Sequence, residues 1–273
     1  MQEIVQAVAR LGKGALREVS ITGGEPFARN DLQQLIRALL LQNKSANIFI
    51  NTNGFFYSKT QVFVRRFLDA RERIFFCVSL EGRAQAHNAI RGAGTFDRAN
   101  RTIDICVKHG FKGSISTTYS KNNLDCDDLS YLSDRAAQTG WMFTGRLVDD
   151  SDYYNSRKNP SALPKGPEMK RLLAHIEANH IQLPYFKILH RYLMTGRISD
   201  ICPAGKTFAF LNNRLEARIC PFINIGLEKN PRKKGYSEKP YSRRCRYCCT
   251  ECRIYPTLFY APASYRRALG ETK

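Results

Sequence analysis

The chain has 273 residues, 43% of them hydrophobic, and carries 43 Lys and Arg against 24 Asp and Glu, a net charge of +19. That is room for one large domain or a domain and a half with an ordinary core. The longest apolar runs, such as IFFCVSL at 74–80, fall far short of the ~20 residues of a membrane helix. With no apolar signal region at the start, a cytoplasmic protein with no membrane partner is expected. The positive excess suits an acidic partner, whether nucleic acid, a phosphorylated or carboxylated substrate, or an acidic peptide. A solvated basic surface is the plainer alternative. Part of it is concentrated at 228–246, where eight Lys or Arg stand against two Glu, with Asn230, Pro231, Gly235 and Pro240 marking a loop.

In chain order, Ile4, Val5, Val8 and Leu11 have helical spacing over 2–11. A β-branched run, Val19 to Thr22, predicts a strand at 17–22. Gly23-Gly24-Glu25-Pro26 follows at once. Two glycines let the chain turn and leave backbone groups open, and a carboxylate then stands at the mouth of the strand. In a sheet with helical crossovers that edge is where ligands bind. Asn30 or Asp31 is placed to cap a helix over 32–42, whose leucines and Ile36 make one apolar face. A strand at 47–51 ends in Thr52-Asn53-Gly54. Ser58 precedes a helix to about residue 69. The near-continuous apolar run at 74–80 predicts a strand covered on both faces. A helix over 95–109, a strand at 112–119, a helix over 124–139 ending at Gly140 and a strand at 141–148 complete the series. Strands alternating with helices predict βα units and a parallel sheet of five strands. Residues 149–167 are polar and rich in Pro, Asn and Ser, and read as a linker. Helices follow at 168–179 and 184–195. Segments 206–211 and 215–219 flank Asn212-Asn213, a hairpin signal because Asn tolerates positive φ.

Nine cysteines are present, four of them within eight residues as CRYCCTEC at 245–252. Such clustering argues for metal rather than disulfides. Cys77 and Cys106 lie in apolar segments and are expected in the core; Cys126 is isolated. Cys202 and Cys220 sit at the two ends of the hairpin, so their thiolates can reach one site. On a helix, Cys245, Cys248, Cys249 and Cys252 would share a face, but the first and last would be about 10 Å apart. One metal with bonds near ~2.3 Å cannot use all four. Two of them with Cys202 and Cys220 is the economical ligand set.

The GGEP tetrad resembles that of radical S-adenosylmethionine (radical SAM) enzymes. The likeness continues in NTNG at 51–54 and in VSLEGRAQAHNAIRGAGTFDRANRTI at 78–103, with Glu81 and Asn88 where aspartates are common. The resemblance implies a partial (β/α)6 TIM-like barrel of α/β class. It implies that Gly23, Gly24, Glu25 and Pro26 receive the amino group of the SAM methionine. It places Thr52, Asn53, Ser79 and Glu81 toward ribose or methionine and Arg91 toward a carboxylate of SAM or substrate, and it sets Thr117, Thr118 and Asn123 at or just past the end of the fourth strand, with Thr118 and Asn123 as further cofactor-binding residues. Family members carry a Cys-x3-Cys-x2-Cys loop after the first strand, which holds the catalytic [4Fe–4S] cluster. No cysteine precedes Cys77 here. The expectation is that the first strand and its loop lie upstream, leaving a barrel that lacks its first strand, inactive alone. The cysteines of the C-terminal part resemble the auxiliary-cluster modules of the family, the SPASM domain and the shorter twitch domain. They imply a small α+β cysteine-rich domain holding one more [4Fe–4S] cluster, with structural zinc as the other occupant. The expected organisation is a radical SAM core at 1–150, a linker and helices at 151–200, the cluster domain at 201–256 and a tail at 257–273. Expected partners are an acidic peptide or metabolite as substrate and a ferredoxin or flavodoxin as reductant. The competing reading is a non-enzymatic, metal-stabilised protein in which the basic flank of CRYCCTEC, with Tyr236, Tyr241 and Tyr247, binds nucleic acid.

Overall fold

The structure, a computed structural model, describes residues 1–12, 16–148, 163–196, 204–205, 208–221 and 223–229. The chain divides between Gly145 and Arg146 into two compact units. The first contains α1 (Gln2–Gly12), β1 (Glu18–Ile21), α2 (Leu32–Gln42), β2 (Asn47–Thr52), α3 (Tyr57–Arg66), β3 (Ile74–Ser79), α4 (Ala84–Arg91), α5 (Thr95–Lys108), β4 (Lys112–Tyr119) and α6 (Cys126–Thr139); β5 (Met142–Leu147) begins within it. The five strands form one sheet in the order β1-β2-β3-β4-β5. The first four pair in parallel, with Glu18 beside Asn47, Ile48 beside Ile74 and Phe75 beside Lys112.

Each strand lies next to the one that follows it in sequence. Right-handed crossovers stepping always the same way put their helices on one face of the sheet. The result is the parallel sheet that the βα alternation implied and the open, partial TIM-like barrel that the resemblance implied; among the described residues the sheet does not close. Side chains alternate accordingly. On the helix-covered face Ile48, Ile50, Ile74, Phe76, Val78 and Ile115 are all 1% exposed or less. Phe76 is the hub of an aromatic cluster, 5.4 Å from the ring of Phe111, 6.0 Å from Phe63 and 6.3 Å from Phe27. The opposite face carries Phe49, Asn51, Phe75, Cys77, Ser79, Ser116 and Thr118, all half-buried. The strand at 74–79 is therefore fully buried on one face and half-buried on the other, and Cys77 lies on the half-buried face rather than in the core. Cys106 is in the core, fully buried, and burial raises its thiol well above the ordinary range.

Some local expectations change. Asp31 stands at the start of α2 but makes no capping bond, because its carboxylate is taken by Arg29 at 2.8 Å. The third helix stops at Arg66, and a 3₁₀ segment, Leu68–Arg73, follows. Arg73 fixes that segment by donating to the carbonyls of Asn43 and Ala46. The capping carboxylate of α6 is Asp125, which accepts from the amide of Asp127.

In the second unit, α7 (Pro167–Asn179) and α8 (Pro184–Thr195) bury Leu172 and Ile176 on one helix and Tyr185, Phe186, Ile188 and Leu189 on the other. A separate antiparallel sheet contains β6 (Phe210–Leu211), β7 (Ala217–Cys220) and a strand not foreseen, β8 (Ile223–Gly226). The hairpin exists at 210–220, but the left-handed residue is Leu215, φ 60°, and not an asparagine. Asn212 shapes the turn through its side chain, whose carbonyl accepts from the amides of Arg214 and Glu216. Among the described residues no helix is long and apolar enough to cross a membrane.

Replacing Phe76 by Ala removes the hub of the aromatic cluster and should cost about 3–5 kcal/mol. Urea denaturation of the full chain and of Phe76→Ala checks this; a loss under about 1 kcal/mol would place the core elsewhere.

Candidate functional site

The sheet's C-terminal edge is built on two carboxylates. The first is Glu25, just after the Gly23-Gly24 turn. Its Oε1 accepts from the hydroxyl of Thr52 at 2.7 Å and the amide of Phe27 at 3.1 Å. Its Oε2 accepts from the amide of Asn53 at 2.7 Å. One side chain thus ties the turn after β1 to the turn after β2, the two motifs that stood out in the sequence. Thr52 in turn accepts from the amide of Gly54 at 3.0 Å. Gly54 has φ +72°, and a Cβ there would lie 2.7 Å from Cα of Ala99 on α5. The second turn is therefore pressed against α5, and the carbonyl of Gly54 accepts from the Thr102 hydroxyl at 3.0 Å.

The second carboxylate is Glu81, 1% exposed. Its Oε1 accepts from Nε of Arg91 at 2.8 Å and from Nη2 of the same side chain. Its Oε2 accepts from the amide of Thr118 at 2.9 Å and, at 3.5 Å, from the side-chain amide of Asn123. Asn123 also donates to the carbonyl of Thr118 at 3.1 Å. The ends of β3 and β4, helix α4 and the loop before α6 are thereby locked together. The amide of Glu81 donates to Nδ1 of His87, which is fully buried on α4. Among the described residues Nε2 of His87, buried, has no hydrogen-bond partner. Burial, with a smaller push from the Arg91 cation, lowers the His87 pKa from 6.5 to about 4, so the ring is neutral at physiological pH.

Glu81 was expected to face ribose or methionine. In the structure it is enclosed, and protein donors surround both its oxygens; it organises the edge from within. Thr52 and Asn123 are likewise buried, and Pro26 is packed in the 3₁₀ turn Pro26–Ala28. The residues that remain open at this edge are Gly23 and Gly24, both exposed, and Glu25, Asn53, Ser79, Arg91 and Thr118, all half-buried. No atom lies within 4 Å of a Cβ built on Gly23 or Gly24, which have φ +94° and +30°. This turn faces free space, as a backbone approached by a ligand must.

The sequence reading passed over Ser20 and Asn51. Asn51 donates to the Ser20 hydroxyl at 2.9 Å and to the Ile21 carbonyl at 3.0 Å on the open face. The alternation of polar and apolar residues along 47–52 was the signal that could have found it. It also passed over a spacing inside CRYCCTEC: Cys245, Cys249 and Cys252 stand as Cys-x3-Cys-x2-Cys. Of the proposed ligands, Cys220 is buried at the end of β7. Cys202, Cys245, Cys248, Cys249 and Cys252 lie outside the described residues, as do the linker at 149–162, the basic run from 230 to 246 and the tail at 257–273. Among the described residues no group of three or more His, Cys, Asp or Glu could hold a metal ion.

Residues 1–127 match the family model of the radical SAM superfamily. Over 245 residues the chain is 26% identical to GTP 3',8-cyclase of Psychromonas ingrahamii, covering 83% of this chain and 69% of that protein. Over 124 residues it is 32% identical to mycofactocin maturase MftC of Mycobacterium tuberculosis, covering 44% of this chain and 30% of the maturase. The chain thus spans less than a third of the maturase. The fold is similar to that of native anSMEcpe with bound AdoMet and Kp18Cys peptide, with a TM-score of 0.58, 15% identity, and coverage of 82% of this chain and 67% of that one.

The buried imidazole makes stability pH-dependent. An unfolded chain takes up the His87 proton near pH 6.5, whereas the folded one resists until about 4. The stabilisation is therefore complete above 6.5 and is lost as pH falls toward 4, on the order of 3 kcal/mol in all. His180, also lowered to about 4 by burial, acts in the same direction. Urea denaturation between pH 7 and 4.5 should show this fall, and His87→Phe should flatten it; equal slopes for the two proteins would contradict the assignment to His87.

Proposed function

Residues 1–127 belong to the radical SAM superfamily, and on that premise we propose that this chain binds S-adenosylmethionine at the C-terminal edge of its five-stranded sheet and takes part in radical modification of a peptide. The observation that carries the reading is the edge itself. An open glycine turn, a carboxylate fixed by three donors and a row of half-buried polar groups lie along successive strand ends. That is a donor and acceptor set suited to an amino acid joined to a ribose. The carbonyls of the Gly23-Gly24 turn, with Glu25, would take the ammonium group. Asn53, Ser79 and Thr118 would face the ribose or the methionine chain. Arg91 gives Nε and Nη2 to Glu81 and keeps Nη1 for a carboxylate. Glu81 and His87 hold that guanidinium and the strand ends in position without touching the ligand.

Radical SAM enzymes use SAM with a reduced [4Fe–4S] cluster, which together supply one-electron cleavage of SAM and hydrogen abstraction from the substrate. The protein binds, orients and keeps water away. A ferredoxin or flavodoxin would serve as reductant. Peptide as substrate is supported by the peptide in the anSMEcpe complex, by the open polar face of the sheet, and by the +19 charge. For a cluster in the C-terminal part, Cys220 at the end of the hairpin offers a buried thiol, and thiolates are the usual ligands of such clusters. We infer one twitch-like cluster held by Cys202, Cys220 and two of Cys245, Cys248, Cys249 and Cys252.

Two measurements test the reading. In calorimetric titration Glu25→Ala should weaken SAM binding about tenfold or more, since it removes the acceptor and frees both turns; unchanged affinity would sink the assignment. Anaerobic reconstitution should load about four iron and four sulfide per chain, and Cys202→Ala or Cys220→Ala should each abolish most of it. Loading lost only in Cys245→Ala, Cys249→Ala and Cys252→Ala would assign the cluster to the Cys-x3-Cys-x2-Cys spacing. Stoichiometric zinc without iron would make the site structural.

A further inference from the structure

Beside the candidate SAM edge lies a cleft of about 360 Å³, lined by Phe55, Phe56, Tyr57, Ser58, Lys59, Arg98 and Arg101. It starts two residues after Asn53, and its far wall is α5, against which the Gly54 turn is pressed. Its cations are placed in an unusual way. The guanidinium of Arg98 lies 4.1 Å from the centre of the Phe55 ring, and the ammonium of Lys59 lies 5.2 Å from that of Phe56. Lys59 also donates to the side chain of Asn30 at 3.3 Å. Among the described residues no carboxylate is within ion-pair distance of Lys59, Arg98 or Arg101. Of the acids on α5, Asp104 holds Arg135, while Asp97 in the first turn makes no ion pair among the described residues. Phe55 is 40% exposed, a large apolar ring left at the surface.

A stacked guanidinium keeps its N–H edge free, and stacking fixes the plane in which it donates. Arg98 and Arg101 are three apart on α5, so they share a face with side chains about 5–6 Å apart. Two acidic side chains two residues apart on an extended chain are separated by about 7 Å. The first turn of α3, which lines the other side, has no side-chain cap at Phe56, and its open amides add to the positive field. We propose that this cleft is a docking subsite for an acidic, extended peptide segment, with carboxylates on Arg98, Arg101 and Lys59 and its stem against Phe55. The proposal rests on the peptide reading above and adds where, and by which chemistry, the peptide is held outside the reacting centre.

The test is fluorescence anisotropy with the full chain and a labelled octapeptide of alternating Glu and Ala, against its Gln counterpart, at low and physiological salt. The Glu peptide should bind and the Gln peptide should not. Arg98→Gln with Arg101→Gln should weaken binding about tenfold or more. Lys44→Gln with Lys108→Gln removes the same charge from exposed sites away from the cleft and should change binding less than about twofold. Arg98→Lys with Arg101→Lys should fall between, since charge is kept and the stacked fork is lost. Equal weakening by the arginine and lysine pairs, or equal binding of the two peptides, would overturn the proposal. So would a single-stranded oligonucleotide that binds as well as the Glu peptide and is lost in the same arginine variant. SAM titration in parallel separates the two readings. SAM binding without peptide binding overturns the subsite alone; peptide binding at the arginines without SAM binding supports the subsite and overturns the function proposed above.

Discussion

The Glu81 carboxylate is buried to 1% exposure and accepts from Arg91, the Thr118 amide and Asn123, and the arrangement of the whole edge depends on it. A charge in such a place is tolerated only with its donors in position, and removing one partner typically costs about 3–5 kcal/mol. That demand fixes the end of β3 relative to the end of β4 and draws α4 onto both. Glu25 does the same work, less enclosed, between β1 and β2. The strand ends are thus cross-linked in pairs by carboxylates from the turns, and the open groups between them inherit a fixed geometry.

This arrangement follows from the sequential strand order. When all crossovers step the same way, helices crowd one face and the other stays concave. The crowded face is filled by Ile and Phe, with Phe76 at its centre. The opposite face carries Asn51, Cys77, Ser79, Ser116 and Thr118 instead, all half-buried. A ligand laid along the edge would meet polar groups from four consecutive strands, of which Glu25, Asn53, Arg91 and Thr118 are held by bonds that do not involve the ligand.

The strand and helix series of the first unit was legible because its apolar runs are long and glycines close its elements. The edge was legible through Gly23-Gly24-Glu25 and Thr52-Asn53-Gly54, where several local features agree. What hid from the sequence has physical causes. Helix α4 shows no aliphatic stripe, since the residue it buries fully is His87. The enclosure of Glu81 is not legible because a carboxylate at a strand end faces outward or inward according to partners as distant in sequence as Thr118 and Asn123. The run at 74–79 reads as doubly covered because Phe75 and Cys77 are apolar, yet both lie on the half-buried face. In the hairpin the positive φ falls on Leu215, whose amide donates to the Asn212 backbone carbonyl, while the Asn212 side chain accepts from the amides of Arg214 and Glu216.

The most direct test is a crystal structure of this chain grown with SAM. The account predicts the methionine ammonium within about 3 Å of the Gly23-Gly24 carbonyls or the Glu25 carboxylate, with Glu81 still enclosed by Arg91, Thr118 and Asn123 and out of contact with the ligand. SAM bound away from this turn, or Glu81 swung out to coordinate it, would contradict the account.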